Sequence, residues 1–227
     1  MFSIESKDMK GPTSDEQRLV LFENQWLEKL TVISVRWFVA TWAIVLPLIL
    51  LAGWGTASPL AAIALTASGW FVWSLFEYFA HRKLFHWEPK ALWLQQMVFV
   101  IHGNHHAQPR DELRNLMPPI VSIPVGALIW SLLWLAAGDA GTWIALGFVG
   151  GYVAYDLTHY ACHHWSMNGP LGKRLKRHHM QHHFIAAHKN YGVTTIFWDR
   201  FFGTRAEGNQ KARRENVVDE EALEPAE

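Results

Sequence analysis

The run LAAIALTASGWFVWSLFEYFAHRKLFH, residues 60–86, carries no charge before Glu77 and then closes on Glu77, His81, Arg82, Lys83 and His86. An uncharged stretch of roughly 20 residues crosses the hydrocarbon of a bilayer as a helix. A carboxylate, a basic pair and two imidazoles at one end mark where that helix meets water. Three further stretches share the first property: residues 37–54, 119–138 and 141–160, the last uncharged until Asp156. The links at 55–59 and 139–140 are short, so each pair of spans must turn back on itself. The expected fold is all-α and integral to the membrane, with four transmembrane helices in two hairpins. Residues 91–101 are apolar but too short to cross, and read as an interfacial or re-entrant helix. Residues 19–30 read as an amphipathic surface helix ahead of the first span.

Charge supplies orientation. Lys7, Lys10, Arg18, Lys29 and Arg36 precede the first span, and Arg82, Lys83, Lys90, Arg110 and Arg114 lie between the second and third. The remaining basic residues, from Lys173 to Arg214, follow the fourth, and the hairpin tips have none. The positive-inside rule then puts both termini and the central loop in the cytosol. Three segments follow: a cytosolic segment with the amphipathic helix over 1–36, a membrane domain over 37–204, and a charged tail over 205–227 that is expected to be disordered. The polar start MFSIESKDMKGPTSDEQ does not read as a cleaved signal peptide. With 20 basic and 20 acidic residues, the balance gives no reason to expect nucleic acid as a partner. One cysteine, Cys162, excludes internal disulfides and cysteine-rich metal sites.

All 13 histidines fall between His81 and His188. His81 and His86 close the second span, and His102, His105 and His106 form H-x2-HH before the third. His159 and His163 end the fourth span, and His179, His182 and His183 form a second H-x2-HH. Every group sits on the expected cytosolic side, so segments distant in sequence reach one layer. Positions three and four apart share a helical face, which suits the two H-x2-HH groups and the pair His159 and His163. His81 and His86 are five apart and diverge on an α-helix, so the helix is expected to end or unwind there. Ten imidazoles exceed what one ion binds, whereas two ions with five each use them all. Structural zinc prefers four ligands, and imidazole also suits iron, copper and nickel. A high ligand number with space for an exogenous ligand favours iron, while zinc remains able to occupy such a site. His164, His178 and His188 read as surface or core residues. A redox two-metal site at a membrane surface points to dioxygen as co-substrate and to oxidation of a lipid.

The runs FEYFAHRKLFH (76–86), IHGNHHAQPRDELRNLMPP (101–119), GYVAYDLTHYACHH (151–164), LKRHHMQHHF (175–184) and NYGVTTIFWDRFFGT (190–204) resemble fatty acid 2-hydroxylases of the fatty acid hydroxylase/sterol desaturase superfamily. The resemblance extends over roughly residues 22–204. It implies a four-span fold with a cytosolic histidine-rich helical cap around a dimetal centre. It implies oxygen insertion at C2 of a fatty acyl chain, free or in a sphingolipid. The metal ligands it implies are His81, His86, His102, His105, His106, His159, His163, His179, His182 and His183, with their division between the ions open. Asp156 is expected to support a ligating imidazole, Glu77 with less reason, and Trp198 and Asp199 to brace the cap. Some members carry a cytochrome b5 domain; the 36 residues before the first span are too few for one, so a separate donor such as cytochrome b5 or ferredoxin is expected. At position 178 the family more often has Tyr where this chain has His178. Carotenoid or sterol hydroxylation or desaturation is the alternative chemistry, and a metal transporter or a bis-histidine haem protein the rival outside it. The host membrane is expected to be a bacterial inner membrane, with the endoplasmic reticulum as the alternative.

Overall fold

The structure, a computed structural model, describes residues 18–206, and among these it is helical without a strand. The expected character of residues 1–17 and 207–227 lies outside the described residues. The elements are α1 (Gln25–Leu30), α2 (Val35–Gly53), α3 (Pro59–Phe79), a π-helical turn (Ala80–Phe85), α4 (Leu92–Val98), a second π-helical turn (Phe99–Gly103), α5 (Asn104–Ala107), α6 (Pro119–Ala137), α7 (Asp139–His164), α8 (Pro170–Phe184) and α9 (Phe197–Phe201). Proline opens α3, α6 and α8 at positions where no amide proton is needed.

Three helical stretches are long and apolar enough to cross a membrane: Val35–Gly53, Pro59–Phe85 and Pro119–Ala137. The fourth expected span falls in α7, whose 26 residues are long enough but include many glycines and polar groups. The reason is its position. α7 packs against α2, α3 and α6 and buries residues along its whole length, whereas α6 buries only Ser122 fully. A helix enclosed by others meets little lipid and can carry polar side chains that an outer helix cannot.

Close backbone approach makes that enclosure possible. A Cβ on Gly147 would lie 1.9 Å from the Thr66 carbonyl oxygen, and one on Gly69 2.0 Å from that of Ile144. Small residues at such a crossing let helices pack by van der Waals contact where lipid offers no hydrophobic driving force. Aromatic rings fill the remaining space: Trp73 meets Phe148 edge-on at 5.1 Å, and Trp42 meets Tyr152 at 5.4 Å. Gly138 alone separates α6 from α7, and its φ of 57° permits the reversal. Trp143 Nε1 donates to Thr56 Oγ1 at 3.1 Å, tying the two hairpin tips together.

At the other end the chain departs from expectation once. The amphipathic helix covers only Gln25–Leu30, because the Asn24 side chain caps it by accepting from the amides of Trp26 and Leu27. Residues before it form no regular element, and the amides of Leu21 and Phe22 donate to Glu28 Oε2. At His81 the helix does not end but unwinds locally into a π turn, the second of the two expected alternatives. Beyond position 204 the amide of buried Ala206 donates to Asn190 Oδ1 at 2.7 Å.

Candidate metal centre

The π turn resolves the five-residue spacing of His81 and His86. Its i→i+5 pattern brings both imidazoles to one face, with the His86 amide donating to the His81 carbonyl and the rings 5.1 Å apart. The second π turn carries His102, and Asn104 Nδ2 donates to the carbonyls of Phe99 and Val100 at 3.0 and 2.7 Å. Those carbonyls therefore keep partners where the helical pattern changes.

The ten spaced histidines converge as two groups of five. One holds His81, His86, His102, His106 and His182; the other holds His105, His159, His163, His179 and His183, with one ring nitrogen of each within 4.8 Å of the others in its group. The two H-x2-HH motifs are thereby split. Residues four apart stay together, His102 with His106 and His179 with His183, while the middle residue of each motif joins the other group. Each motif thus serves both groups, and α8 ties them together.

The ring chemistry fits cations at both places. His182 Nδ1 lies 2.7 Å from the Lys189 carbonyl and must donate to it, which leaves a lone pair on Nε2. That Nε2 is 3.0 Å from His86 Nε2 and 3.1 Å from His106 Nε2. In the second group His105 and His183 approach at 3.0 Å, and His163 and His179 at 2.9 Å. Nitrogen–nitrogen edges of about 3 Å are those of a polyhedron with metal–nitrogen bonds of about 2.1 Å. The Nε2 atoms of His81 and His159 are buried with no partner, as a ligand atom is without its ion. Burial lowers His86 to about 4 and His182 to about 3, and it holds His102, His105 and His179 well below the ordinary histidine range. The imidazoles are therefore neutral, which is the form that ligates.

Backbone carbonyls, more than carboxylates, orient the rings. His81 Nδ1 faces the Tyr191 carbonyl at 2.6 Å, and His159 Nδ1 that of Asn115 at 3.3 Å. Such contacts fix tautomer and ring plane. Asp156 sits one step back: its Oδ2 accepts from Tyr152 Oη at 2.8 Å and from the Met117 amide at 3.1 Å, bracing the strand of chain that presents Asn115. Glu77 accepts from the amides of Val193 and Thr194 at 2.7 and 2.9 Å and from the Thr194 hydroxyl. His178 is buried and donates to Asp199, while Asn115 Nδ2 lies 3.3 Å from half-buried His164 and His188 is exposed. None of these three joins either five-histidine group.

Sequence reasoning passed over the residues whose backbone does this work, Asn115, Lys189 and Tyr191. The turn signal N-x-G at 190–192 was the available cue. Asn190 has a φ of 58°, and a Cβ on Gly192 would meet the Thr195 carbonyl at 2.1 Å.

Known proteins resemble this chain in sequence and fold. The family model described as Fatty acid hydroxylase matches residues 66–204. Dihydroceramide fatty acyl 2-hydroxylase FAH2 of Arabidopsis thaliana is 41% identical over 141 residues, covering 62% of this chain and 60% of the relative. Ceramide very long chain fatty acid hydroxylase SCS7 of Saccharomyces cerevisiae is 40% identical over 155 residues, 64% of this chain and 38% of the relative. Fatty acid 2-hydroxylase of Homo sapiens is 38% identical over 140 residues, 60% of this chain and 38% of the relative. The chain therefore spans 60% or less of the length of these relatives. A solved structure of full-length scs7p, in which only the hydroxylase domain is visible, superposes with a TM-score of 0.75 at 32% identity, covering 80% of this chain and 70% of that one. A match over more than half of the 227 residues, with all ten clustered histidines inside it, makes this chain a member of the fatty acid hydroxylase family.

Proposed function

We propose that this membrane protein hydroxylates a fatty acyl chain at C2, free or within a sphingolipid, at a di-iron centre held by its ten clustered histidines. The observation that carries the reading is the pair of five-imidazole groups at the end of the apolar helices, in a chain whose relatives are named for 2-hydroxylation. Two irons supplied with dioxygen and two external electrons provide the oxidising power that an unactivated C–H bond requires. The protein's own part is to hold neutral ring nitrogens in two fixed groups, to orient them through the carbonyls of Tyr191, Asn115 and Lys189, and to exclude water. Asp156 keeps Asn115 in register through the Met117 amide.

The membrane domain on this reading is 37–204, with α7 as a fourth span enclosed by the other three. The basic residues put the histidine cap and both termini on the cytosolic side, within reach of a one-electron donor such as cytochrome b5 or a ferredoxin. The relatives reported above come from a plant, a yeast and a mammal, which weighs against a bacterial inner membrane and towards the endoplasmic reticulum.

Expression in a host lacking 2-hydroxy lipids tests the reaction. Mass spectrometry of hydrolysed lipid is expected to show 2-hydroxy fatty acids. Their absence, with donor supplied and two metal ions bound per chain, would overturn the reading.

A further inference from the structure

Beside the histidine cluster lies a cavity of about 400 Å³ whose lining includes His102 of one five-histidine group and His105 and His159 of the other. That volume is in the range of small-molecule pockets. Its outer wall is supplied by a segment outside the residues that the family model matches: Leu21 and Phe22, then Leu27 and Leu30 of α1. Ile101 and the first turn of α6, Ile120 and Val121, line the same cavity.

These rim residues face two ways. They line the cavity, yet Leu30 is 45% exposed, Ile101 41%, Ile120 55% and Val121 47%. Ile120 and Val121 begin a helix that is apolar enough to cross the bilayer, so the rim opens at membrane level. An apolar opening there meets acyl chains rather than water. The wall is also fastened. Arg114 donates through Nη1 to the Leu19 carbonyl and through Nη2 to Glu28 Oε1, while its own side chain is 4% exposed. Glu28 Oε2 in turn holds the amides of Leu21 and Phe22, and the Ile33 amide donates to the Leu113 carbonyl at 2.8 Å.

We propose that residues 21–30 form the wall of a lateral portal through which the acyl chain of a bilayer lipid reaches the histidine cluster, and that Leu27 and Leu30 set which chains pass. The occupant's class rests on the function proposed above; the portal itself rests on the cavity and its apolar rim. The Arg114–Glu28 pair fastens the wall to the loop that precedes α6. Selectivity for the acyl chain then belongs to this segment and the ligand set to residues 66–204.

Two measurements on the full chain decide it. Leu30→Trp narrows the opening and is expected to lower the yield of 2-hydroxy product roughly tenfold, with metal content unchanged. Trp26→Ala, on the 77% exposed outer side of the same helix, leaves the yield as it was. The second measurement does not depend on turnover. Cys162 is buried, so a Leu30→Cys thiol can be labelled selectively with a maleimide in detergent. Added N-acylsphinganine or free saturated fatty acid, in separate arms, should slow that labelling several-fold and leave Trp26→Cys unaffected. Equal labelling of Leu30→Cys with and without either lipid overturns the portal, as does full yield from Leu30→Trp. Wild-type protein that makes no product, together with lipid protection of the Leu30→Cys thiol, would remove the proposed reaction and keep the portal. If Leu30→Trp loses metal, the labelling result decides.

Discussion

His178 Nε2 donates to Asp199 Oδ2 at 2.9 Å, joining the histidine-bearing helix α8 to the closing run at a point where neither side chain meets solvent. Asp199 also accepts from the amides of Tyr191 and Gly192 at 2.9 and 2.7 Å and from Thr204 Oγ1 at 2.7 Å. Tyr191 is the residue whose carbonyl orients His81. A side chain remote from the ring nitrogens therefore sets one of them.

Asp199→Asn should destabilise the cap by about 1.5–3 kcal/mol, because an amide nitrogen would face donors that now share a carboxylate. Burial alone would raise this carboxyl, but the hydrogen bonds from His178, Gly192 and Thr204 outweigh it and hold it below the ordinary range. The unfolded chain therefore binds this proton first, at about pH 3.9. The stabilisation is complete above that pH and is lost as pH falls towards the lower folded value. Thermal unfolding of the wild type should thus show an acid limb that Asp199→Asn flattens. An unchanged limb would show that Asp199 contributes nothing through its charge.

At Glu77 the two natural substitutions should separate. Glu77→Gln keeps an oxygen for the amides of Val193 and Thr194 and offers a donor to the Thr194 hydroxyl. Glu77→Ala leaves those buried amides without an acceptor, at a cost of about 1–3 kcal/mol for each. Stability should fall much further in Glu77→Ala than in Glu77→Gln, and metal content should follow, since His81 lies one turn beyond Glu77. Equal melting of the two variants would refute the accepting role.

Metal stoichiometry tests the division into groups. His81→Ala and His159→Ala each remove a buried ring from a different group of five. Elemental analysis should find close to one ion lost per chain in either variant and both lost in the double variant. The exposed His188, replaced by Ala, should retain both. Loss of both ions from each single variant would mean that the groups do not fill independently.

The histidines were legible because ligand spacing is local: H-x2-HH and H-x3-H can be read without knowing where the helices go. Their division was not. Whether His105 turns towards His102 or towards His159 depends on how α5, α7 and α8 meet, which no single segment encodes. The pair His81 and His86 read as a helix that ends or unwinds because a spacing of five fits no α-helical face, but which of the two was not legible, since a π turn leaves little mark in composition. The apolar outer helices announced themselves through lipid exposure. α7 did so less clearly for the opposite reason, since it is shielded and keeps Asp156, Tyr152 and Tyr155 buried. The wall formed by α1 was invisible, because it depends on Arg114 reaching back across 86 positions to Glu28.

The crossing of α3 and α7 offers the sharpest test of the fold. Gly147 and Gly69 lie where each helix meets the other's backbone, with no flexible side chain in the way. A methyl group on Gly147 must displace α3 rather than a rotamer, and α3 carries Glu77 and leads directly into His81. Gly147→Ala should therefore reduce both the yield of folded protein in the membrane and the metal bound by what remains, with a larger effect for Gly147→Val. Gly150→Ala, whose Cβ would meet only a Trp70 ring carbon at 3.9 Å, is the matched control on the same helix and should be tolerated. Folded yield by size-exclusion chromatography and metal per folded chain separate the two effects. Should Gly147→Ala behave like Gly150→Ala in both, the helices are not held by this backbone contact.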